Sequence, residues 1–193
     1  MSERIETAGT VRPGMGQAPA VMLVNPKYGH NAAGVLRLCS VFGYGQLWLT
    51  GDRWDDGWDK RMPREERMKL YQNVQVYRSE RPLDAFGPEC TPVAVEILEN
   101  AEPLAWFQHP DNPVYVFGPE DGSVPKGVLK ECHRRIILPT DSCVNLAVAA
   151  GIVLADRQLQ RQRQGREPVL PSYETTQDQR GFLDSDAPLR RVS

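Results

Sequence analysis

The side chains best suited to chemistry fall into three short groups. Asn31 and Arg37 stand six residues apart. Within one helix that spacing is nearly two turns, so the pair shares a face only loosely. A helix cap and an amphipathic arginine would account for them, yet Arg37 sits among Val35, Leu36, Leu38 and Cys39. Cations in apolar company are usually paired or functional. Gly118, Glu120 and Gly122 form the second group, in a turn that ends the apolar run Val114–Phe117. A glycine closing a buried strand lets a ligand approach the backbone. Pro, Asp and Gly are equally the residues of a plain turn, and Glu120 is either a ligand for an arginine or hydroxyl or a solvated carboxylate. Cys143 and Asn145 are the third group, where an apolar helix opens. Asn145 can cap that helix or bond a ligand through its amide. Cys143 at a helix N-terminus could carry the lowered thiol pKa of a nucleophile. His30, His109 and His133 supply no Cys-His hydrolase signature beside it.

Short apolar runs alternate with helical patterns and so position these groups. Strands are expected at Val21–Val24, Leu47–Leu49, Val74–Tyr77, Pro92–Leu98, Val114–Phe117 and Ile136–Leu138. A helix from Asn31, which can cap it, carries Val35, Leu36, Cys39 and Phe42 and stops at Gly43 and Gly45. Further helical segments are expected at Arg64–Tyr71, Glu102–Phe107 and Lys126–Cys132, with a closing helix from Val144 to Gln162. This alternation predicts an α/β fold, a mostly parallel sheet with helices on both faces. The turns after Phe117 and Leu138 leave the carboxyl ends of strands, where open α/β sheets bind ligands. Residues 1–19 read as a flexible N-terminal arm, 20–164 as the folded domain and 165–193 as an extended tail.

The 193 residues suffice for one domain with a substantial core. A net charge of −2 argues against a nonspecific nucleic-acid binder, though a local basic patch needs no basic total. No apolar run is long enough to span a bilayer, and the N-terminus lacks the apolar core of a signal peptide. The four cysteines are widely spaced without a C-x-x-C pair, which points away from a zinc site or disulfide framework and toward a reducing, cytoplasmic setting. Neither G-x-G-x-x-G nor a phosphate loop is present, which disfavours a dinucleotide-dependent oxidoreductase.

In this order the three groups resemble the motifs of the SpoU/TrmH family of SPOUT RNA ribose 2′-O-methyltransferases. Asn31-Ala-Ala-Gly34-Val-Leu-Arg37 is similar to the first motif. Val116-Phe117-Gly118-Pro119-Glu120-Asp121-Gly122 is similar to the second, with its last glycine one residue early. Leu138-Pro139 followed by Cys143-Val144-Asn145-Leu146 is similar to the third, with cysteine where the family usually has serine and a shorter preceding loop. The Arg37-Leu38-Cys39 run looks most like the TrmL branch, which modifies the tRNA wobble ribose. The resemblance spans roughly residues 20–160.

It implies a C-terminal trefoil knot, a homodimer, S-adenosylmethionine as methyl donor and an RNA substrate, tRNA before rRNA, without metal or membrane. Arg37, Asn31 and Asn145 are the implied catalytic residues, with Glu120 orienting Arg37 or Asn31. Val95, Gly118, Glu120, Leu138, Cys143 and Leu146 are the implied cofactor-binding residues. For RNA, basic clusters stand at Arg61, Arg64, Arg67 and Lys69 and at Arg157, Arg161, Arg163 and Arg166, though a solvated helix face accounts for either, and best for the first beside Glu65 and Glu66. Trp54 and Trp58 could stack on bases, but such tryptophans more often pack against a partner or core. A non-catalytic knotted dimer that binds RNA or a nucleotide is the alternative.

Overall fold

A computed structural model of the chain describes residues 5–7, 12–54 and 74–166. Eight strands form one sheet: β1 (Ile5–Thr7), β2 (Ala20–Leu23), β3 (Gln46–Leu49), β4 (Gln75–Arg78), β5 (Thr91–Val95), β6 (Glu102–Pro103), β7 (Pro113–Phe117) and β8 (Arg134–Ile137). Their order is β1-β4-β3-β2-β7-β5-β8-β6, and every neighbouring pair is parallel. Among the described residues three α-helices accompany them: α1 (Gly29–Val41), α2 (Lys126–Glu131) and α3 (Leu146–Arg163).

Parallel strands covered on both faces read as unbroken apolar runs, and all residues of β2, β3 and β7 are buried. Side chains alternate between two apolar clusters, one on each face. Val21, Leu23, Leu47, Leu49, Tyr115 and Phe117 meet α1 and α3 through residues such as Val35, Leu36, Ala150 and Val153. Ala20, Met22, Trp48, Val114 and Val116 lie in the other cluster, with Val128 and Leu129 of α2 packed against it. The expected α/β architecture is therefore observed.

Helix α1 stops where the glycine pattern predicts. Gly43 has φ +73°, and the Tyr44 N–H donates to the Cys39 carbonyl at 2.8 Å, which closes the helix end. Its start differs from expectation. Tyr28 is the capping residue, and Asn31 lies inside the first turn, 3% exposed. Asn31 is thus no cap, and its amide is committed elsewhere.

Other expectations also shift. Ile5–Thr7, assigned to a flexible arm, pairs with β4, and the Gly14 and Gly16 N–H groups donate to the Ala85 carbonyl. The helical segment expected over Glu102–Phe107 begins as the edge strand β6 and continues as a 3-10 turn, Leu104–Trp106. A further 3-10 turn, Pro82–Ala85, had no sequence signal strong enough to place it. The helix expected at Arg64–Tyr71 and the tail after Arg166 lie outside the described residues.

The chain divides after Arg157 into two compact units. Described residues of the second carry α3 to Arg163 and end in a turn where Gly165 has φ +68°. In the first unit, His109 ties α3 to the sheet. Its ring accepts from the Tyr115 hydroxyl through Nδ1 and donates from Nε2 to Asp156 at 2.9 Å. Desolvation pulls the His109 pKa below its ordinary value despite Asp156, so the neutral ring with this hydrogen-bond pattern is favoured.

Candidate active site

The strand order reverses between β2 and β7. The chain leaves β2 toward β3 on one side, while β5 and β8 lie beyond β7 on the other. Ligand crevices of open α/β sheets form at such points, outside the carboxyl ends of the strands. A cavity of about 540 Å³ opens there. Its walls come from Tyr28, His30 and Asn31 after β2, residues 95–97 after β5, residues 117–120 after β7, and residues 140–146 leading into α3.

A chain of polar groups crosses one wall. The Asn145 amide donates to Asn31 Oδ1 at 2.9 Å, and the Asn31 amide donates to Glu120 Oε1 at 2.6 Å. Glu120 Oε2 accepts the Lys27 backbone N–H at 2.6 Å. Asn145 Oδ1 meanwhile accepts the Ala147 and Val148 N–H groups at 2.9 and 3.3 Å. Asn145 therefore caps α3 with its oxygen, as one of its two readings expected, and reaches across the site to Asn31 with its nitrogen. Each amide in the chain has its orientation set by its neighbours. One carboxylate and two amides from three distant stretches are thereby held in register.

The loops that carry these groups are fastened together. Arg53 donates to the Asn25 carbonyl at 2.6 Å and to both Asp121 carboxylate oxygens at 3.1 Å. Lys27 Nζ lies 3.3 Å from Asp121 Oδ2. Partial burial works against ionisation of Asp121, but the hydrogen bonds from Arg53 and Lys27 outweigh it and hold the carboxyl below its ordinary pKa. Glu96 secures the other side by accepting the Val124 N–H at 2.8 Å. Gly118 is required for a reason other than ligand approach alone. A Cβ there would lie 2.8 Å from the Val124 backbone nitrogen, so the 118–124 turn closes on the glycine itself.

Of the residues the sequence singled out, Asn31, Val95, Gly118, Glu120, Leu138, Cys143, Asn145 and Leu146 all line this one cavity. Of the two partners proposed for Glu120, Asn31 is observed. Arg37 is the exception. It is exposed on α1, nearly two turns beyond Asn31, and lies outside the cavity lining. Of the apolar neighbours that made it conspicuous, Val35, Leu36 and Cys39 are buried and Leu38 is partly buried.

Two residues offered for RNA contact are interior. Trp54 is 1% exposed and donates its indole N–H to the Gly51 carbonyl. Arg157 is 5% exposed, donates to the Asp111 carbonyl and lies over the Tyr44 ring. Trp54 thus takes the packing reading over stacking, and the burial of Arg157 corrects its place in the basic cluster. Trp58, Arg61, Arg64, Arg67 and Lys69 lie outside the described residues. Sequence reasoning missed Tyr28, His30, Glu96 and Ile97 as lining residues. Their signal was positional, since each follows the carboxyl end of a strand.

Among described residues no group of His, Cys, Asp or Glu is arranged to hold a metal ion. No helix among them is long and apolar enough to cross a membrane.

A family model described as the SpoU rRNA methylase family matches residues 18–155. No curated protein matches the sequence. Solved structures share the fold. The A. aeolicus TrmH/SpoU tRNA modifying enzyme is 19% identical, with 87% of each chain covered and a TM-score of 0.62. The SpoU methyltransferase AviRb from Streptomyces viridochromogenes, solved with AdoMet, is 19% identical with a TM-score of 0.60. That match covers 83% of this chain but only 61% of the AviRb chain. A structure described as giving insight into 2-OH methylation of C/U34 on tRNA is 22% identical, covering 74% of this chain and 90% of the other, with a TM-score of 0.59.

Proposed function

Because this chain belongs to the SpoU rRNA methylase family, we propose that it transfers a methyl group from S-adenosylmethionine to a ribose 2′-hydroxyl of RNA, with tRNA the favoured substrate. The observation that carries this reading is the Asn145–Asn31–Glu120 chain across the wall of the strand-end cavity. It joins the three motif segments into one polar device.

The cavity fits the donor by size and lining. Its 540 Å³ lies within the roughly 300–1,000 Å³ usual for small-molecule sites. Val95, Leu138 and Leu146 offer apolar walls for an adenosine, and backbone groups near Gly118 and Leu138 offer polar contacts to its edges. Held by Val95, Leu138 and Leu146, S-adenosylmethionine would supply an activated sulfonium methyl group to the ribose 2′ oxygen, whose proton would pass to water.

The residues of this chain align the acceptor. Asn31 and Asn145 hold fixed amide dipoles beside the reacting centre, with Glu120 setting the Asn31 orientation. A guanidinium hardly deprotonates, so Arg37 serves as a cation and not as a base. Its exposed position on α1 suits a phosphate flanking the target ribose. The trefoil knot, the homodimer and a cytoplasmic setting belong to the same reading.

Mapping 2′-O-methyl positions in RNA from cells with and without this protein tests it. The reading predicts that at least one position loses its methyl group in the deficient cells. Unchanged maps of tRNA and rRNA would overturn it.

A further inference from the structure

The cavity has two ends with different chemistry. At the β5 and β8 end the walls include Val95, Ile97 and Leu138; at the β2 end stand Tyr28 and His30. The Tyr28 and His30 rings stack, with centroids 5.4 Å apart and planes inclined by 24°. Both residues are exposed, Tyr28 to 43%. The Lys27 ammonium lies 5.4 Å from the Tyr28 ring centroid and pairs with Asp121.

Asn31 follows His30 directly, so the stacked rings adjoin the amide–carboxylate chain. Tyr28 is further fixed as the residue that opens α1, its carbonyl accepting the Asn31 N–H at 3.0 Å. Two exposed aromatic rings, stacked with each other and standing at a helix start in the cavity lining, offer a surface that a flat ligand face could cover. Proteins that bind single-stranded nucleic acid use such rings as stacking platforms for bases.

We propose that the Tyr28–His30 pair is a nucleobase platform, on which the base of the nucleotide being methylated stacks while its ribose faces Asn31 and Asn145. This deepens the RNA methyl-transfer reading and rests on it. The platform occupies the β2 end, which leaves the β5 and β8 end, where Val95, Ile97 and Leu138 stand beside Glu96, to the donor. Stacking reads the flat face that every base possesses, so the platform positions the nucleotide without choosing its identity.

A chemical double-mutant cycle tests this with the full-length protein. The probe is an oligoribonucleotide spanning the nucleotide at which wild-type methyl transfer maps, made with the target base present or abasic. Affinity is measured first without donor, by fluorescence anisotropy, and then KM and kcat with donor. The Tyr28→Ala/His30→Ala variant is expected to bind the intact probe roughly 5- to 100-fold more weakly than wild type. Removing the target base should cost wild type a similar factor and the variant little further. Tyr28→Phe keeps a stacking ring and should restore most of the affinity, while donor affinity stays within about twofold in every variant.

Equal losses from the abasic probe in wild type and variant would overturn the platform while leaving methyl transfer intact. Loss of donor affinity in the Ala variant would also overturn it, by assigning the rings to the donor's end. Absence of any methyl transfer to RNA by wild type, with donor bound, would instead overturn the underlying reading, and the platform with it.

Discussion

Each polar side chain in the site does two jobs, which makes its replacement informative. Glu120 accepts from both the Lys27 backbone and the Asn31 amide. Glu120→Gln places an NH₂ where one of those donors must find an acceptor. Hydrogen bonds to charged groups contribute about 1.5–3 kcal/mol, so methyl transfer should fall roughly 10- to 100-fold. Donor affinity, measured by calorimetry, should change far less, because the variant disturbs orientation and not the apolar wall. Arg37→Lys keeps the charge but loses the planar fork. It should reduce transfer at least tenfold. Near-normal transfer would rule out a specific guanidinium role. Gly118→Ala probes packing at the cavity wall. Its Cβ would meet the Val124 nitrogen at 2.8 Å, so overpacking should cost about 1–3 kcal/mol, seen as a fall in Tm by scanning calorimetry.

At the scale of elements, the tie between α3 and the sheet makes a pH prediction. His109 has its pKa lowered by desolvation, first among the influences on it. Between the folded value and the ordinary one near 6.5, the unfolded chain binds more protons than the folded one. The stability that His109 contributes is therefore fully present above pH of about 6.5 and is lost as pH falls through the folded value. Thermal melts should show that acid-side loss in the wild type and a smaller one in His109→Gln.

The same elements show what a sequence can and cannot disclose. Strands β2, β3 and β7 were legible because burial on both faces leaves unbroken apolar runs, and the end of α1 because Gly43 alone tolerates its φ. The start of α1 was misplaced because Asn31 has the residue type of a cap while its amide is used 89 positions away, by Glu120. Arg157 misled for a related reason. Residue type suggested surface chemistry, and burial among non-local partners decided otherwise. Three site segments were recognisable from local spacing, but the bonds joining them span 89 and 114 residues. No periodicity records contacts of that range.

For the whole molecule, the family reading carries a homodimer with it. Helix α3 presents Val148 and Ile152, 53% and 37% exposed and one turn apart, on a single face. We infer that this face is covered by a second copy. Sedimentation should then give about twice the 21.7 kDa chain mass, and Val148→Glu with Ile152→Lys should shift the protein toward monomer. A wild-type mass of one chain would contradict it.

The central claim concerns a reaction, and nucleoside analysis reaches it most directly. Purified protein is incubated with S-adenosylmethionine carrying a labelled methyl group and RNA from cells lacking the protein. The RNA is then digested to nucleosides and analysed by mass spectrometry. The account predicts label in a 2′-O-methylnucleoside, dependent on intact Asn31 and Glu120. Label on a base, or donor bound with no label transferred to any RNA, would contradict it.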